Sequence, residues 1–179
     1  MNLDSRISAI LPYPLLLIGI LLYVSPFVPV LNHYDASYDL VFVAPSYVTA
    51  GAFGWLYMRG KIEKDSYVLA VPAVTFLLLT GMWLYFDFPG PYAVTARFVF
   101  GFGSLSFLYV TGHVAGVGDR IYAAASVVAY AVCLSVVVVL PPFDPWMFLS
   151  LFLVSVVTLV SGVPLALVGY VLSGVSTGS

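Results

Sequence analysis

Six apolar stretches occupy nearly the whole chain, and every Asp, Glu, Lys and Arg falls in the gaps between them or at their edges. A helix needs about 20 mostly apolar residues to cross the hydrocarbon core of a bilayer. In lipid the backbone must satisfy its own N–H and C=O groups, so only helices or a closed barrel can span. The runs here lack the alternation that a lipid-facing barrel strand requires. The expected fold class is therefore all-α: a polytopic membrane protein with six transmembrane helices in three antiparallel hairpins, one transmembrane domain over residues 1–179. Composition agrees, with 8% charged residues against about 25% in a soluble domain.

The spans are read at residues 7–31, 40–58, 67–86, 98–117, 121–140 and 146–172. The connectors between them, 32–39, 59–66, 87–97, 118–120 and 141–145, are short, so consecutive helices should lie side by side and antiparallel. The stretch after Arg6 is too long for a signal-peptide core and lacks a small-residue cleavage site, so no cleavable signal is expected. Threading the chain up and down puts Arg6, Arg59, Lys61, Lys64 and Arg120 on one side and Arg97 on the other. The positive-inside rule then places both termini in the cytoplasm of a multi-pass plasma-membrane protein. The outer loops would hold Asp35, Asp39, Asp87 and Asp144.

Proline placement adds local detail. Pro12, Pro14, Pro26 and Pro29 bracket the first span, while Pro45 and Pro72 are expected in the opening turns of the second and third, where a missing N–H costs little. Pro164 lies inside the sixth, where it should free a backbone carbonyl and kink the helix. Such a kink serves packing or lines a cavity.

The absence of charge at bilayer depth excludes several classes of function. Proton-coupled carriers, pumps and voltage sensors place ionisable groups there. The single Cys133 rules out an internal disulfide and a cysteine metal cage, and the scattered basic residues offer no nucleic-acid footprint. His33, in the first outer loop near Asp35 and Asp39, reads as a solvated residue or as an outer pH sensor. His113, near the inner end of the fourth span, reads as a hydrogen-bonded residue at a helix end. The two histidines sit on opposite faces and cannot clamp one haem. Ser106 and His113, seven residues apart, share a helix face but stand about 10 Å apart along the axis, too far for a nucleophile–base pair. No catalytic residue, cofactor or metal site is expected, nor is an enzyme. Ser104 and Ser106 should bond to backbone, and Gly112-x-x-x-Gly116 and Gly101-Phe102-Gly103 should mark close helix contacts.

Trp55, Tyr57, Trp83, Tyr85, Phe86 and Trp146 lie near span ends, as interfacial aromatics do. In the fourth span Phe98, Phe102 and Tyr109 fall on roughly one face. They either pack the bundle or form an aromatic constriction that passes neutral solutes. Ser46, Thr49, Thr75, Thr80, Ser104 and Thr158 could add polar lining.

The runs Thr80-Gly81-Met82-Trp83, Phe88-Pro89-Gly90-Pro91-Tyr92 and Phe100-Gly101-Phe102 resemble those of a family of archaeal six-helix membrane proteins, a likeness that carries a fold and no activity. The same stretch is similar, more distantly, to the urea channel and amide transporter family, where an outer-loop Gly-Pro precedes Phe-Gly-Phe early in the next helix. That resemblance implies a hexameric ring with a pore in each protomer, and places Phe100 and Phe102 in the pore lining. The chain departs from the pattern in its fifth span, which has Tyr122 and Tyr130 where the channels place tryptophans.

The expected function is a passive channel or facilitator for a small uncharged solute such as urea, a short amide or ammonia, lined by Phe100, Phe102, Ser104 and Tyr109. Its partners would be membrane lipids, the solute and further copies of the chain in a homo-oligomer. The alternative is an accessory or assembly subunit of a larger membrane complex, with no site of its own.

Overall fold

A computed structural model describes residues 10–25, 36–86, 92–139 and 145–176. It is all-helical over these residues, with α1 Pro12–Val24, α2 Ala36–Met58, α3 Lys64–Phe86, α4 Tyr92–Val117, α5 Arg120–Val139 and α6 Pro145–Ser176. Five of the helices, α2 to α6, are long and apolar enough to cross a membrane. The 13 residues of α1 rise about 20 Å at 1.5 Å each, short of the roughly 30 Å hydrocarbon core. Arg6, Pro26, Pro29, His33, Asp35, Asp87 and Asp144, and the side chains of Asp39, Phe86 and Trp146, lie outside the described residues, and so do the expectations placed on them.

Both described connectors close with the same device. Gly60 has φ +63° and Gly118 has φ +84°. Gly60 N donates to Tyr57 O and Lys61 N to Leu56 O; Gly118 N donates to Ala115 O and Asp119 N to Val114 O. This is the Schellman pattern, in which a left-handed residue after the last turn satisfies orphaned carbonyls, and glycine adopts that conformation without strain. Asp119 then starts α5, its Oδ1 accepting from Tyr122 N at 3.4 Å. Asp119 also pairs with Lys64 of α3 at 2.7 Å. Arg59, Lys61, Lys64 and Arg120 thus gather at one end of the bundle.

The arrangement around α4 differs from three hairpins. α1 packs on α2, and α3 on both α2 and α4, but the most extensive interface in the molecule joins α4 to α6, and α5 also packs on α4. Among the described residues α5 and α6 share no substantial interface, so the expected last hairpin is split around α4. The reason is steric. Without a hydrophobic drive between helices in lipid, association follows the closeness of backbone approach. A Cβ on Gly112 would run into the Ala166 carbonyl of α6, one on Gly116 into Ser173 Oγ, and one on Gly169 into the Tyr109 carbonyl of α4. The Gly112-x-x-x-Gly116 pair therefore works within the protomer. Gly19 and Gly51 provide the same close approach between α1 and α2.

Pro45 and Pro72 are internal to their helices, not in the opening turns, because α2 and α3 begin earlier than the apolar runs suggest. Each proline removes an N–H from the helical ladder. Pro164 sits inside a continuous α6. The carbonyl of Ser161, three residues before it, accepts a hydrogen bond from Tyr47 Oη of α2 at 3.2 Å.

Candidate functional site

The core lies where α2, α3 and α4 meet, and it is unusually polar for a membrane interior. On α2 the inward stripe reads Phe42, Ser46, Thr49, Ala50 and Tyr57; on α4 it reads Phe98, Phe102, Tyr109 and His113; α3 contributes Tyr67, Thr75 and Trp83. Spacings of three, four and seven keep Phe42, Ser46 and Thr49, and Phe98, Phe102, Tyr109 and His113, each on one helix face.

The column begins in an aromatic cluster. Phe102 stacks with Phe42 at 5.7 Å and with Phe98 at 6.0 Å between ring centroids. Trp83 lies 5.8 Å from Phe98 and 6.3 Å from Phe42. Hydroxyls follow. Ser46 Oγ donates to the Phe102 carbonyl at 3.3 Å. Thr49 and Thr75 hydroxyls meet at 2.6 Å, and each is also within reach of a carbonyl of its own helix, Pro45 and Val71. Each threonine lies within a turn of its helix's internal proline.

Two tyrosines come next. Tyr67 Oη donates to Tyr109 Oη at 2.5 Å, and Tyr109 Oη donates to the Ala50 carbonyl at 3.2 Å. Neither tyrosine has any solvent-accessible surface. His113 follows one turn on, packed against the rings of Tyr57 at 5.0 Å and Tyr67 at 4.7 Å. Its side chain is fully enclosed, and neither ring nitrogen has a hydrogen-bond partner of good geometry. His113 does lie near the inner end of α4, one turn before Val117, but in place of a hydrogen-bond partner of good geometry its neighbours are the two tyrosine rings and the Gly169 backbone of α6. The column closes at the Lys64–Asp119 pair, where Lys64 holds the Asp119 carboxyl below its usual range. From Phe98 to Asp119 is about 30 Å at 1.5 Å per residue, the depth of a bilayer core.

The four residues expected to line a pore divide between two faces of α4. Phe102 and Tyr109 are in the column. Phe100 packs on Phe76 of α3 at 5.6 Å, and Ser104 Oγ donates to the Gly101 carbonyl at 2.6 Å. Positions two apart on a helix point about 200° apart, so Phe100 and Ser104 cannot share the face of Phe102. Ser106 likewise donates to the Gly103 carbonyl, as expected for serine in an apolar helix. Ser46, Thr49 and Thr75 converge on the column, whereas Thr80 is exposed and bonds to Phe76 O, and Thr158 bonds to Ser155 O.

The sequence reading overlooked Phe42, Tyr67 and the inward role of His113, and it took Tyr57 and Trp83 as interfacial aromatics where they pack against the core. One signal was present: His113 continues the stripe of Phe98, Phe102 and Tyr109 by another four residues. Tyr67 gave none, since it looks like an interfacial aromatic until α4 is docked beside it.

Among the described residues no group of His, Cys, Asp or Glu is placed to hold a metal ion. No protein-family model matches the chain, and no curated protein or solved structure is significantly similar to it.

Proposed function

We propose that the α2/α3/α4 column is the path of a small uncharged solute, and that the chain is a passive facilitator for a molecule such as urea, a short amide or ammonia. The observation that supports this most is the run of buried polar groups along the column, Ser46, Thr49, Thr75, Tyr67, Tyr109 and His113, which covers about 16 Å between the level of Phe102 and that of His113. Hydroxyls and an imidazole exchange hydrogen bonds with an amide or amine, and no carboxylate or ammonium is among them. An ion entering the same line would lose its hydration shell with nothing to replace it. Selectivity would then come from bore and polar lining.

The state described is closed. The stacked rings of Phe42, Phe98 and Phe102 fill one end, and the Tyr67–Tyr109 contact fills the middle. Passage requires Phe102 to swing out and the two hydroxyls to part, each then bonding to the solute in place of its neighbour. The orientation that follows from Arg59, Lys61, Lys64 and Arg120 puts the Lys64–Asp119 end in the cytoplasm, with the protein multi-pass in the plasma membrane. Further copies would pack through the exposed apolar faces of α5 and α6.

Solute flux into proteoliposomes tests the proposal. Swelling in urea, acetamide or glycerol should exceed that of empty vesicles, and Phe102→Ala should raise the rate and loosen selectivity. Rates equal to empty vesicles across that panel would remove the reading.

The accessory-subunit reading draws on a separate observation. Among the described residues α5 packs mainly on α4 and exposes Ile121, Val128, Val132 and Val139. Partner subunits co-purifying at fixed stoichiometry would favour it over a homo-oligomer.

A further inference from the structure

Outside the column, α1 and α2 enclose a groove of about 400 Å³ lined by Tyr13, Leu16, Ala52, Trp55 and Leu56. That volume is within the roughly 300–1,000 Å³ of sites that hold discrete ligands. Its walls change along the helix axis. Leu16 and Ala52 lie on the side toward the membrane centre. Tyr13 and Trp55 stand nearer the basic end, joined by a hydrogen bond from Trp55 Nε1 to Tyr13 Oη at 3.3 Å. Arg59 comes one turn later, its guanidinium 4.3 Å from the centre of the Trp55 ring.

Three physical features restrict what can occupy this groove. The face of α1 beside it exposes Leu17, Ile20 and Leu21, so the surrounding medium is hydrocarbon. Trp and Tyr with a bonded polar edge mark headgroup depth. Arg59 is exposed, and among the described residues no carboxylate lies within ion-pair distance of it: Asp119 pairs with Lys64, and the exposed Glu63 and Asp65 form no pair with Arg59. Lys61, also exposed, adds a second positive charge in the same connector. An apolar slot that opens toward lipid and ends in an aromatic pair and an unneutralised guanidinium is complementary to one kind of molecule.

We infer that the groove is a binding site for an anionic phospholipid, with one acyl chain along Leu16, Ala52 and Leu56 and the phosphate at Arg59. The guanidinium can meet phosphate oxygens through paired N–H donors while its face rests on Trp55. The second cation, Lys61, favours a headgroup with net negative charge over a zwitterion. The site is independent of solute passage, and its test needs no flux measurement.

The experiment uses the full chain in vesicles containing brominated lipids, which quench tryptophan on contact. The Trp55 component is isolated by difference against Trp55→Phe. Brominated phosphatidylglycerol should quench Trp55 more strongly than brominated phosphatidylcholine at equal mole fraction. Arg59→Gln, a change of an exposed side chain, should reduce that preference about fivefold, the weight of one basic residue at an anionic surface. Ala52→Phe fills the groove and should remove the excess quenching by either lipid; circular dichroism shows whether that variant keeps its helices. Equal quenching by the two lipids in the wild type, or a preference unchanged in Arg59→Gln, would overturn the assignment. Quenching through the groove by the zwitterionic lipid alone would do the same.

Discussion

The hydrogen-bonded tyrosine pair makes a prediction whose sign depends on which hydroxyl is removed. Tyr67 Oη donates to Tyr109 Oη, and Tyr109 Oη donates onward to the Ala50 carbonyl. Tyr67→Phe deletes the first donor and leaves Tyr109 still bonded to Ala50. The loss is one interhelical hydrogen bond, about 0.6 kcal/mol on average in membrane proteins and rarely above about 1.7. Tyr109→Phe is worse, because it leaves the Tyr67 hydroxyl buried with its acceptor gone. A stranded buried donor costs about 1–3 kcal/mol. Tyr109→Phe should therefore be the more destabilising by roughly 1 kcal/mol, about fivefold in the unfolding equilibrium. The double variant has no stranded hydroxyl, so it should be more stable than Tyr109→Phe alone despite carrying one more substitution. Reversible unfolding in mixed detergent micelles, followed by steric trapping, measures all three. Tyr67→Phe costing as much as Tyr109→Phe, or a double variant whose loss is the sum of the singles, would show that the pair is not the directed chain described.

Other expectations follow from the same geometry. Gly112→Ala should cost about 1–3 kcal/mol, the usual cost of overpacking, because the new methyl meets a backbone carbonyl of α6 that cannot rotate away. Gly116→Ala should cost somewhat less, since Ser173 Oγ can turn, although Ser173 Cβ at 2.8 Å and the Tyr170 carbonyl at 2.9 Å must still give a little; comparing the two midpoints of thermal unfolding tests whether α4 and α6 are in backbone contact. The Asp119 carboxyl is depressed by Lys64, so the native state binds fewer protons than the unfolded one. Its contribution is present above the unfolded carboxylate pKa of about 3.9 and is lost as pH falls below that. A stability profile from pH 6 to pH 3 should thus be flatter in Asp119→Asn than in the wild type; identical acid limbs would count against the pair. Thr49→Val with Thr75→Val should leave the helices intact and slow amide flux, since it removes the hydroxyl contact at the centre of the column; undiminished flux would take these residues off the path.

Much of the polar column could be read one helix at a time. Phe98, Phe102 and Tyr109 announce a common face by their spacing, and the hydroxyls of Ser46, Thr49 and Thr75 stand out in apolar runs. The connectors at 59–66 and 118–120 were legible as gaps between apolar runs, while the Schellman stops at Gly60 and Gly118 came only with the backbone geometry. Helix starts were less so. Pro45 and Pro72 lie deeper in their helices than hydropathy implied, because polar residues such as Lys64, Asp65 and Ser66 can be helical while lying outside any apolar run.

What the linear chain determined by itself is the class of fold and the side on which charge collects. Both are consequences of solvent: lipid rejects open backbone and unpaired charge, whatever the neighbours. What only the tertiary structure decided is which faces meet. The residues of α5 and α6 are as compatible with a hairpin as any adjacent pair, yet among the described residues both pack on α4, α6 because Gly112, Gly116 and Gly169 let its backbone approach that of α4 where bulkier residues would not. The same docking settled the partners of Tyr67 and His113. Periodicity tells which residues of one helix share a side; it carries no information about the helix on the other side of the contact.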